Sequence, residues 1–265
     1  MTKYLFLTCL FLCITACKND STKNNSTDEL SSSNSELSIN TFVSSIEKAH
    51  KKEHFLKESA IQLQLNIQFG GNERLNGTVT FSTDSSKGKL ELSNGDTIIY
   101  IDNEVFYSPS ITNTQRIRFD AYTWSYFLLF PYKLSDDGTV WNSYPNSQLG
   151  DIKYNAQKLS FKSGVGDAPD DWYVVYSNPN SNLLEVAAYI VTSGKTIEEA
   201  EADPHAIKYE DFVAVNNIPF ARKWTFWEWE AKLGLTHQIG EATLKNIKFI
   251  EDQKLFEVPQ DFLKN

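Results

Sequence analysis

The segment IQLQLNIQF, residues 61–69, alternates apolar and amide side chains without a break. In a β-strand, successive side chains point to opposite faces of the sheet. The pattern therefore predicts a strand with one face on a core and the other in water, which is typical of antiparallel sheets.

The same period of two continues along much of the chain, and short turn sequences interrupt it. GGN at 70–72, NG at 94–95 and DN at 102–103 separate short alternating runs and predict a five-stranded meander ending near residue 107. Further strands are predicted at residues 152–154, 159–161, 172–176, 183–192, 207–215, 220–230 and 238–250. We predict an α+β fold, mainly antiparallel, in which one large curved sheet of about eleven strands, an incomplete β-barrel, covers two or three helices.

An amphipathic helix of about four turns is predicted from residue 41 onwards, because apolar residues recur at helical spacing. Its apolar face carries Phe42, Ile46, Ala49 and Leu56.

This helix contains HKKEH, residues 50–54, which matches the H-x-x-E-H pattern of some zinc peptidases. In that pattern His50 and His54 would bind zinc and Glu53 would act as the base. The alternative is an ordinary surface helix. It is favoured because Glu53 lies near the apolar stripe and no downstream helix offers a third ligand.

The middle of the chain contains YTWSYFLLFPY, residues 122–132, which is too short to span a bilayer and too apolar for an exposed helix. Asp120 is predicted to cap a short helix in which Trp124, Phe127 and Leu128 share a face, and Pro131 is predicted to end it. The segment must be covered, either as a mobile lid or plug or as fixed core.

WTFWEWE, residues 224–230, places aromatic side chains on both faces of a predicted strand. Trp224 and Phe226 share one face, and Trp227 and Trp229 share the other. Both faces must therefore be at least partly covered, one by the Trp124 helix and the other by a loop or the N-terminal helix. The pattern leaves open which pair faces the helix.

The first residues, MTKYLFLTCLFLCITACKND, have the plan of a secretory signal: a basic start, a short apolar run and a polar switch. Ile14-Thr15-Ala16-Cys17 resembles the bacterial lipobox. This resemblance implies a signal peptide at residues 1–16 and an acylated Cys17. The alternative is an ordinary signal cut after Ala16.

Residues 17–40 follow as a lipidated cysteine and a polar tether, and residues 41–265 as one folded domain. Cys9 and Cys13 leave with the signal and Cys17 is acylated, so neither a disulfide nor a catalytic thiol is expected. Acidic residues outnumber basic ones by 34 to 25, which argues against nucleic-acid binding. No phosphate-binding loop or nucleophile motif is present, and we predict no cofactor.

Five segments, at residues 120–134, 164–176, 188–195, 203–212 and 224–230, together resemble a family of uncharacterised lipoproteins common in flavobacteria. The N-terminal helix, the interrupted meander and the C-terminal Phe256-x-x-Pro259 are more distantly similar to the lipoprotein-carrier and lipoprotein-receptor (LolA/LolB-like) superfamily. This second resemblance implies a half-barrel whose concave face shelters acyl chains or another apolar ligand, without catalysis.

The resemblance and the aromatic content together give a set of candidate groove residues: Trp124, Phe127, Leu128, Phe130, Trp172, Tyr189, Trp224, Phe226, Trp227 and Trp229. The expected partners are a hydrophobic ligand, lipid or lipoprotein and the membrane that holds the anchor. The expected location is the cell envelope, at the outer membrane on either side, and the expected state is a monomer.

Two other functions remain open. An envelope enzyme or metal-binding protein would use Asp167, Asp170 and Asp171 in a Gly/Pro loop, with His205 joining them. The ordinary interpretation of this loop is turn chemistry. An adhesin or scaffold would use the polar face of residues 62–68.

Overall fold

A computed structural model describes residues 25–265, with the backbone alone for 25–35 and for residue 253. The predicted signal peptide and Cys17 lie outside these residues. Within them, no helix combines the length and apolar character needed to cross a bilayer.

The described residues form helices and antiparallel strands in the following order. The α-helices are α1 (Asn25–Ala49), α2 (Lys52–Phe55), α3 (Ile117–Leu129) and α4 (Ile197–Glu201), and 3-10 turns occupy Phe130–Tyr132 and Gln253–Phe256. The strands before α3 are β1 (Ala60–Phe69), β2 (Asn72–Ser82), β3 (Lys87–Leu92), β4 (Thr97–Ile101) and β5 (Glu104–Tyr107). The strands after α3 are β6 (Thr139–Ser143), β7 (Ser147–Leu149), β8 (Ile152–Phe161), β9 (Tyr173–Ser177), β10 (Leu184–Tyr189), β11 (His205–Val215), β12 (Ile218–Glu230), β13 (Gly234–Ile250) and β14 (Leu263–Lys264).

These strands form a single curved, open sheet of 14 strands in the order β14-β5-β4-β3-β2-β1-β13-β12-β11-β10-β9-β8-β6, and β7 pairs with β8. All pairings are antiparallel. Strands β1 to β5 pair in sequence order, as do β7 to β13, and the pairings of β13 with β1, β14 with β5 and β6 with β8 join non-consecutive strands. The predicted α+β half-barrel is therefore confirmed.

The strand that decided the fold class lies near the middle of the sheet, between β2 and β13. Ile61, Leu63, Leu65 and Ile67 are buried and the amide side chains between them face outward. The meander predicted up to residue 107 matches β1 to β5.

The sheet has more strands than the sequence pattern suggested. The pattern missed β6, β7 and β14, which are short and partly exposed and so lack a clear alternation. It also divided β8 into two pieces, because the middle of that strand, NAQK at 155–158, is mostly polar.

The N-terminal helix differs from the prediction at both ends. It begins at Asn25, so residues 25–40 of the predicted tether are helical. That stretch contains neither Gly nor Pro, and nothing in it stops a helix from extending. At the other end the helix breaks, because Lys51 adopts the left-handed conformation with φ 60°. The break turns Phe55 into the core and leaves Leu56 48% exposed, so the predicted burial of Leu56 was wrong.

Candidate hydrophobic-ligand site

The two aromatic pairs of residues 224–230 lie in two separate cores. Trp224 and Phe226 belong to the inner core, which lies between the concave face of the sheet and the helices. Trp229, with Trp227 beside it, belongs to an outer core on the opposite face. Both faces of β12 are covered, as the sequence pattern predicted.

The outer core is covered by the short strand β7. Leu149 of β7 approaches Gly234 so closely that a Cβ there would lie 2.5 Å from its Cδ2 atom. Trp172, from the loop before β9, meets Trp229 edge-on with ring centroids 6.1 Å apart. The short strand β7 and the loop before β9, and not the N-terminal helix, therefore cover the second aromatic pair.

The inner core is filled by α3, whose aromatic side chains enter the concave face of the sheet. The Trp124 ring lies 6.3 Å from that of Phe226, and the Phe127 ring lies 6.1 Å from Phe226 and 5.1 Å from Tyr189. Leu128 is also buried in this core. These contacts occur between side chains only, and no backbone–backbone hydrogen bond joins α3 to a strand in the described residues.

A small number of polar contacts fix α3 in this position. Asp120 accepts hydrogen bonds through one oxygen from Arg74 Nη2 at 2.5 Å and from Trp124 Nε1 at 3.0 Å. Burial raises the pKa of Asp120, and the Arg74 charge opposes that rise. Near the C-terminal end of the helix, the Tyr209 hydroxyl donates to the Phe127 carbonyl at 2.8 Å. We call the Arg74–Asp120–Trp124 contact the latch.

The predicted role of Asp120 as the helix cap was wrong, because α3 begins three residues before it. Arg116 occupies the cap position, and its side chain makes no cap hydrogen bond. The predicted end is confirmed: α3 stops at Leu129 and continues as a 3-10 turn that contains Pro131.

The structure divides the ten candidate groove residues between the two faces of the sheet. Seven lie in the inner core: Trp124, Phe127, Leu128, Phe130, Tyr189, Trp224 and Phe226. Trp172, Trp227 and Trp229 lie at the outer core and face away from that group, because neighbouring positions in a strand point to opposite sides. The ten residues therefore do not line one groove.

Two concavities among the described residues differ in size and in lining. A cavity of about 20 Å³ lies near the inner core between His50, Tyr132, Phe212 and Phe220. A larger and shallower concavity of about 550 Å³ lies on the polar outer face of β1, β2, β3 and β13. Its lining includes Gln64, Asn66, Asn76, Glu91 and Lys245.

The H-x-x-E-H residues do not form a metal site. His50 is 2% exposed, and its Nε2 atom accepts a hydrogen bond from the Leu184 backbone N–H at 3.0 Å. Burial lowers the pKa of His50 to about 3, so the ring is neutral. Glu53 and His54 are exposed beyond the break at Lys51.

The carboxylates of the acidic loop are engaged in separate local contacts. Asp167 pairs with Arg118 Nη2 at 2.5 Å. Asp171 accepts from the backbone N–H and the hydroxyl of Thr192 at 2.8 and 2.7 Å. His205 Nε2 lies 3.6 Å from Asp203, not from the loop. In the part of the chain described, no group of three His, Cys, Asp or Glu side chains is placed to bind a metal ion.

The residues that sequence reasoning missed are the polar partners of the core. Arg74, Tyr173 and Tyr209 lie on strands, and each meets α3 or its surroundings across the sheet. Tyr173 and Tyr209 occupy inward positions of strands whose alternation was visible, so that pattern could have identified them. Nothing in the sequence links Arg74 to Asp120.

Comparison with solved structures identifies the fold. The chain resembles a LolA superfamily protein from Nitrosomonas europaea with a TM-score of 0.51 and 10% identity, covering 78% of this chain and 97% of that chain. A DUF1329 family protein from Desulfovibrio piger ATCC 29098 gives a TM-score of 0.45, 11% identity and coverages of 81% and 96%. A putative outer membrane lipoprotein-sorting protein domain from Vibrio parahaemolyticus gives a TM-score of 0.48, 7% identity and coverages of 79% and 94%.

The first of these similarities establishes a LolA-like fold. No curated protein matches the chain. Residues 2–241 match DUF6503, a family of unknown function, and the chain therefore belongs to that family.

Proposed function

We propose that this protein binds the acyl chain of a lipid or lipoprotein on the concave face of its sheet, without catalysis, and that α3 is the plug which the ligand replaces. The observation that supports this most strongly is the construction of the inner core. An open sheet encloses an apolar helix that contributes no strand pairing and is fixed by a few polar contacts.

The apolar surface beneath α3 is chemically suited to an acyl chain. Burying a methylene group gains about 0.8 kcal/mol, so ten methylenes give roughly 8 kcal/mol before the costs of association and ordering. Phe226, which Trp124 and Phe127 of α3 cover, and Trp224 of the same inner core present aromatic surface without a charged group. Affinity in the micromolar range then needs no specific hydrogen bond.

The plug also explains how an apolar concave face stays covered without a ligand. A concave face of apolar side chains left exposed to water would favour aggregation. Because no backbone–backbone hydrogen bond joins α3 to a strand in the described residues, α3 can leave without breaking the sheet. Its polar contacts at Asp120 and Phe127 then limit how easily it leaves.

The proposal places the protein in the cell envelope as a monomer held by a lipid on Cys17. The lipobox-like sequence at residues 14–17 supports the anchor, and the net charge of −9 disfavours direct contact with anionic headgroups.

Native mass spectrometry of the full chain, purified gently from an envelope extract, tests the proposal. We expect a co-purifying lipid or lipopeptide that is lost on denaturation. Phe226→Ala, in the inner core, should strongly reduce the fraction of the protein that carries this ligand. Trp227→Ala is the matched control, since it removes an aromatic ring from the next position on the opposite face.

A ligand-free mass, even after incubation with envelope lipids, would overturn the proposal. Equal loss of ligand in both variants would also contradict it, because only one of the two side chains faces α3.

A second candidate, recognition of a polar partner by the outer face, is supported by the concavity of about 550 Å³ near Asn66. Asn66→Arg would block that surface and leave the inner core intact. Retention of a co-purifying partner protein by this variant would exclude the second candidate.

A further inference from the structure

Four side chains form a continuous row across one end of the sheet. Tyr173 of β9 pairs directly with Tyr189 of β10, Tyr189 with His205 of β11, and His205 with Glu228 of β12. Directly paired residues of antiparallel strands share a face. Tyr173 and Tyr189 belong to the inner core, so the whole row lies on the concave side. We call these four residues the rim row.

The neighbouring row on the same face is entirely apolar. Val175 pairs with Ala187, Ala187 with Ile207, and Ile207 with Phe226. All four of these side chains are fully buried, and Phe127 of α3 packs against Phe226. Polar groups and apolar surface therefore lie in adjacent layers on the concave face.

Exposure increases along the rim row. Tyr173 and Tyr189 are each 7% exposed, the His205 side chain is 22% exposed, and Glu228 is exposed. The row thus runs from the inner core to the solvent, as the opening of an apolar site does.

The polar groups of the rim row have few partners among the described residues. Neither the Tyr173 nor the Tyr189 hydroxyl makes a hydrogen bond to another described residue, and neither oxygen is among the fully enclosed polar atoms without a partner, so both are open to solvent. The Glu228 carboxylate forms no ion pair with any described residue.

The surroundings of the row are acidic. Asp203 lies beside His205, and its only described cationic partner of fixed charge is Lys195 at 3.0 Å. Asp171 lies near the two phenols: burial raises the pKa of Tyr173 and of Tyr189, and the Asp171 charge adds to both shifts. An ammonium group at the row would therefore meet a negative field and acceptor oxygens, whereas a carboxylate or phosphate would be repelled.

We propose that the rim row is the headgroup subsite of the concave face, and that the preferred ligand is an amphiphile with an acyl chain and an amine headgroup. This inference rests on the proposed function. The alkyl chain of the ligand lies on the apolar row that α3 covers in the absence of ligand. The ammonium group of the ligand binds Glu228, and the tyrosine hydroxyls and His205 provide hydrogen-bonding groups around it.

The test compares three ligands with the same alkyl chain, dodecylammonium, dodecanoate and dodecanol, added to the full chain at pH 7.5, the two ions below their micelle concentrations and the alcohol below its solubility limit. Affinity is measured by tryptophan fluorescence. We expect dodecylammonium to bind about tenfold more tightly than dodecanoate, with dodecanol between them, since the exposed Glu228 carboxylate attracts one ligand and repels the other.

Glu228→Gln should reduce that preference to about threefold or less. The Tyr173→Phe, Tyr189→Phe double variant keeps both rings and should weaken all three ligands. Glu241→Gln is the matched control, because Glu241 is an exposed carboxylate paired opposite Thr225 on the outer face. It should leave the preference unchanged.

The outcomes separate the two proposals. If none of the three ligands binds, the concave face takes no acyl chain and both proposals fail. If all three bind equally, the acyl-chain site stands and the headgroup subsite is rejected. If Glu228→Gln and Glu241→Gln change the preference for the amine equally, the rim row is not the origin of that preference and the headgroup subsite is also rejected.

Discussion

At the scale of single residues, His50 shows how a polar group can serve the core. Its ring meets Tyr132 and Phe212 edge-on at 6.1 Å, and its Nε2 atom accepts the Leu184 N–H at 3.0 Å. A backbone N–H buried without a partner is costly, so the neutral imidazole stabilises the junction between α1 and β10.

This role predicts a pH-dependent stability. The unfolded chain protonates His50 as the pH falls below 6.5, whereas burial keeps the folded ring neutral until about pH 3. The unfolded state therefore binds more protons in this window, and stability falls as the pH falls. At pH 5 the loss is about 2 kcal/mol relative to pH 7.

Urea unfolding at pH 7 and pH 5 measures this effect. His50→Gln should lose less stability between these pH values than the unchanged chain does. His54→Gln, an exposed histidine four residues away, should behave like the unchanged chain. An identical pH dependence in all three proteins would rule out His50 as the source.

At the scale of elements, α3 and its latch determine whether the concave face can open. Arg74 and Asp120 are only 20% and 13% exposed at their side chains, so removing the cation leaves a carboxylate poorly solvated. We expect Arg74→Met to destabilise the fold by about 2 kcal/mol.

Adding Asp120→Asn to Arg74→Met should recover part of that loss, because the amide carries no charge and its oxygen still accepts from Trp124 Nε1. Urea unfolding gives both values. Arg222→Met is the control, since Arg222 and Asp211 are half exposed, and it should leave unfolding unchanged. A double variant less stable than Arg74→Met alone would contradict this account of the latch.

The plug itself is tested by Phe127→Asp. The introduced carboxylate cannot remain beside Phe226 and Tyr189, so α3 should leave the concave face while the strands stay paired. We expect retained β-sheet circular dichroism and unchanged or tighter ligand binding, because α3 no longer competes with the ligand for the concave face. Cooperative loss of the whole sheet signal would show that α3 is fixed core.

The strands and α3 also show what the alternation of apolar and polar residues can and cannot predict. Strands with one wet face, such as β1, were found within one residue at each end because their period of two is complete. The position of α3 inside the sheet followed from its apolar composition. The latch did not, because Arg74 and Asp120 are 46 residues apart and meet only through the tertiary fold.

At the scale of the whole molecule, the open sheet determines the overall shape. The lipobox-like sequence at residues 14–17 supports the proposed location. The aromatic content predicted an enclosed apolar surface but not its division into inner and outer cores. That division depends on β7, a strand of three residues with no sequence signal of its own.

The proposed anchor predicts a change of location. Cys17→Ser should release the protein from the membrane fraction into the soluble fraction, because the acyl chains require the thiol. Fractionation followed by immunoblotting measures this. Cys13→Ser, which alters the predicted signal segment, is the control. Membrane retention of Cys17→Ser would disprove the anchor.

Hydrogen–deuterium exchange of the full chain with and without dodecanol shows whether an acyl ligand replaces α3. We expect faster exchange for residues 117–129 when the ligand is bound, with unchanged protection of the strands β9 to β12 that line the concave face. Saturable binding that leaves the exchange of α3 unchanged, or slows it, would contradict the claim.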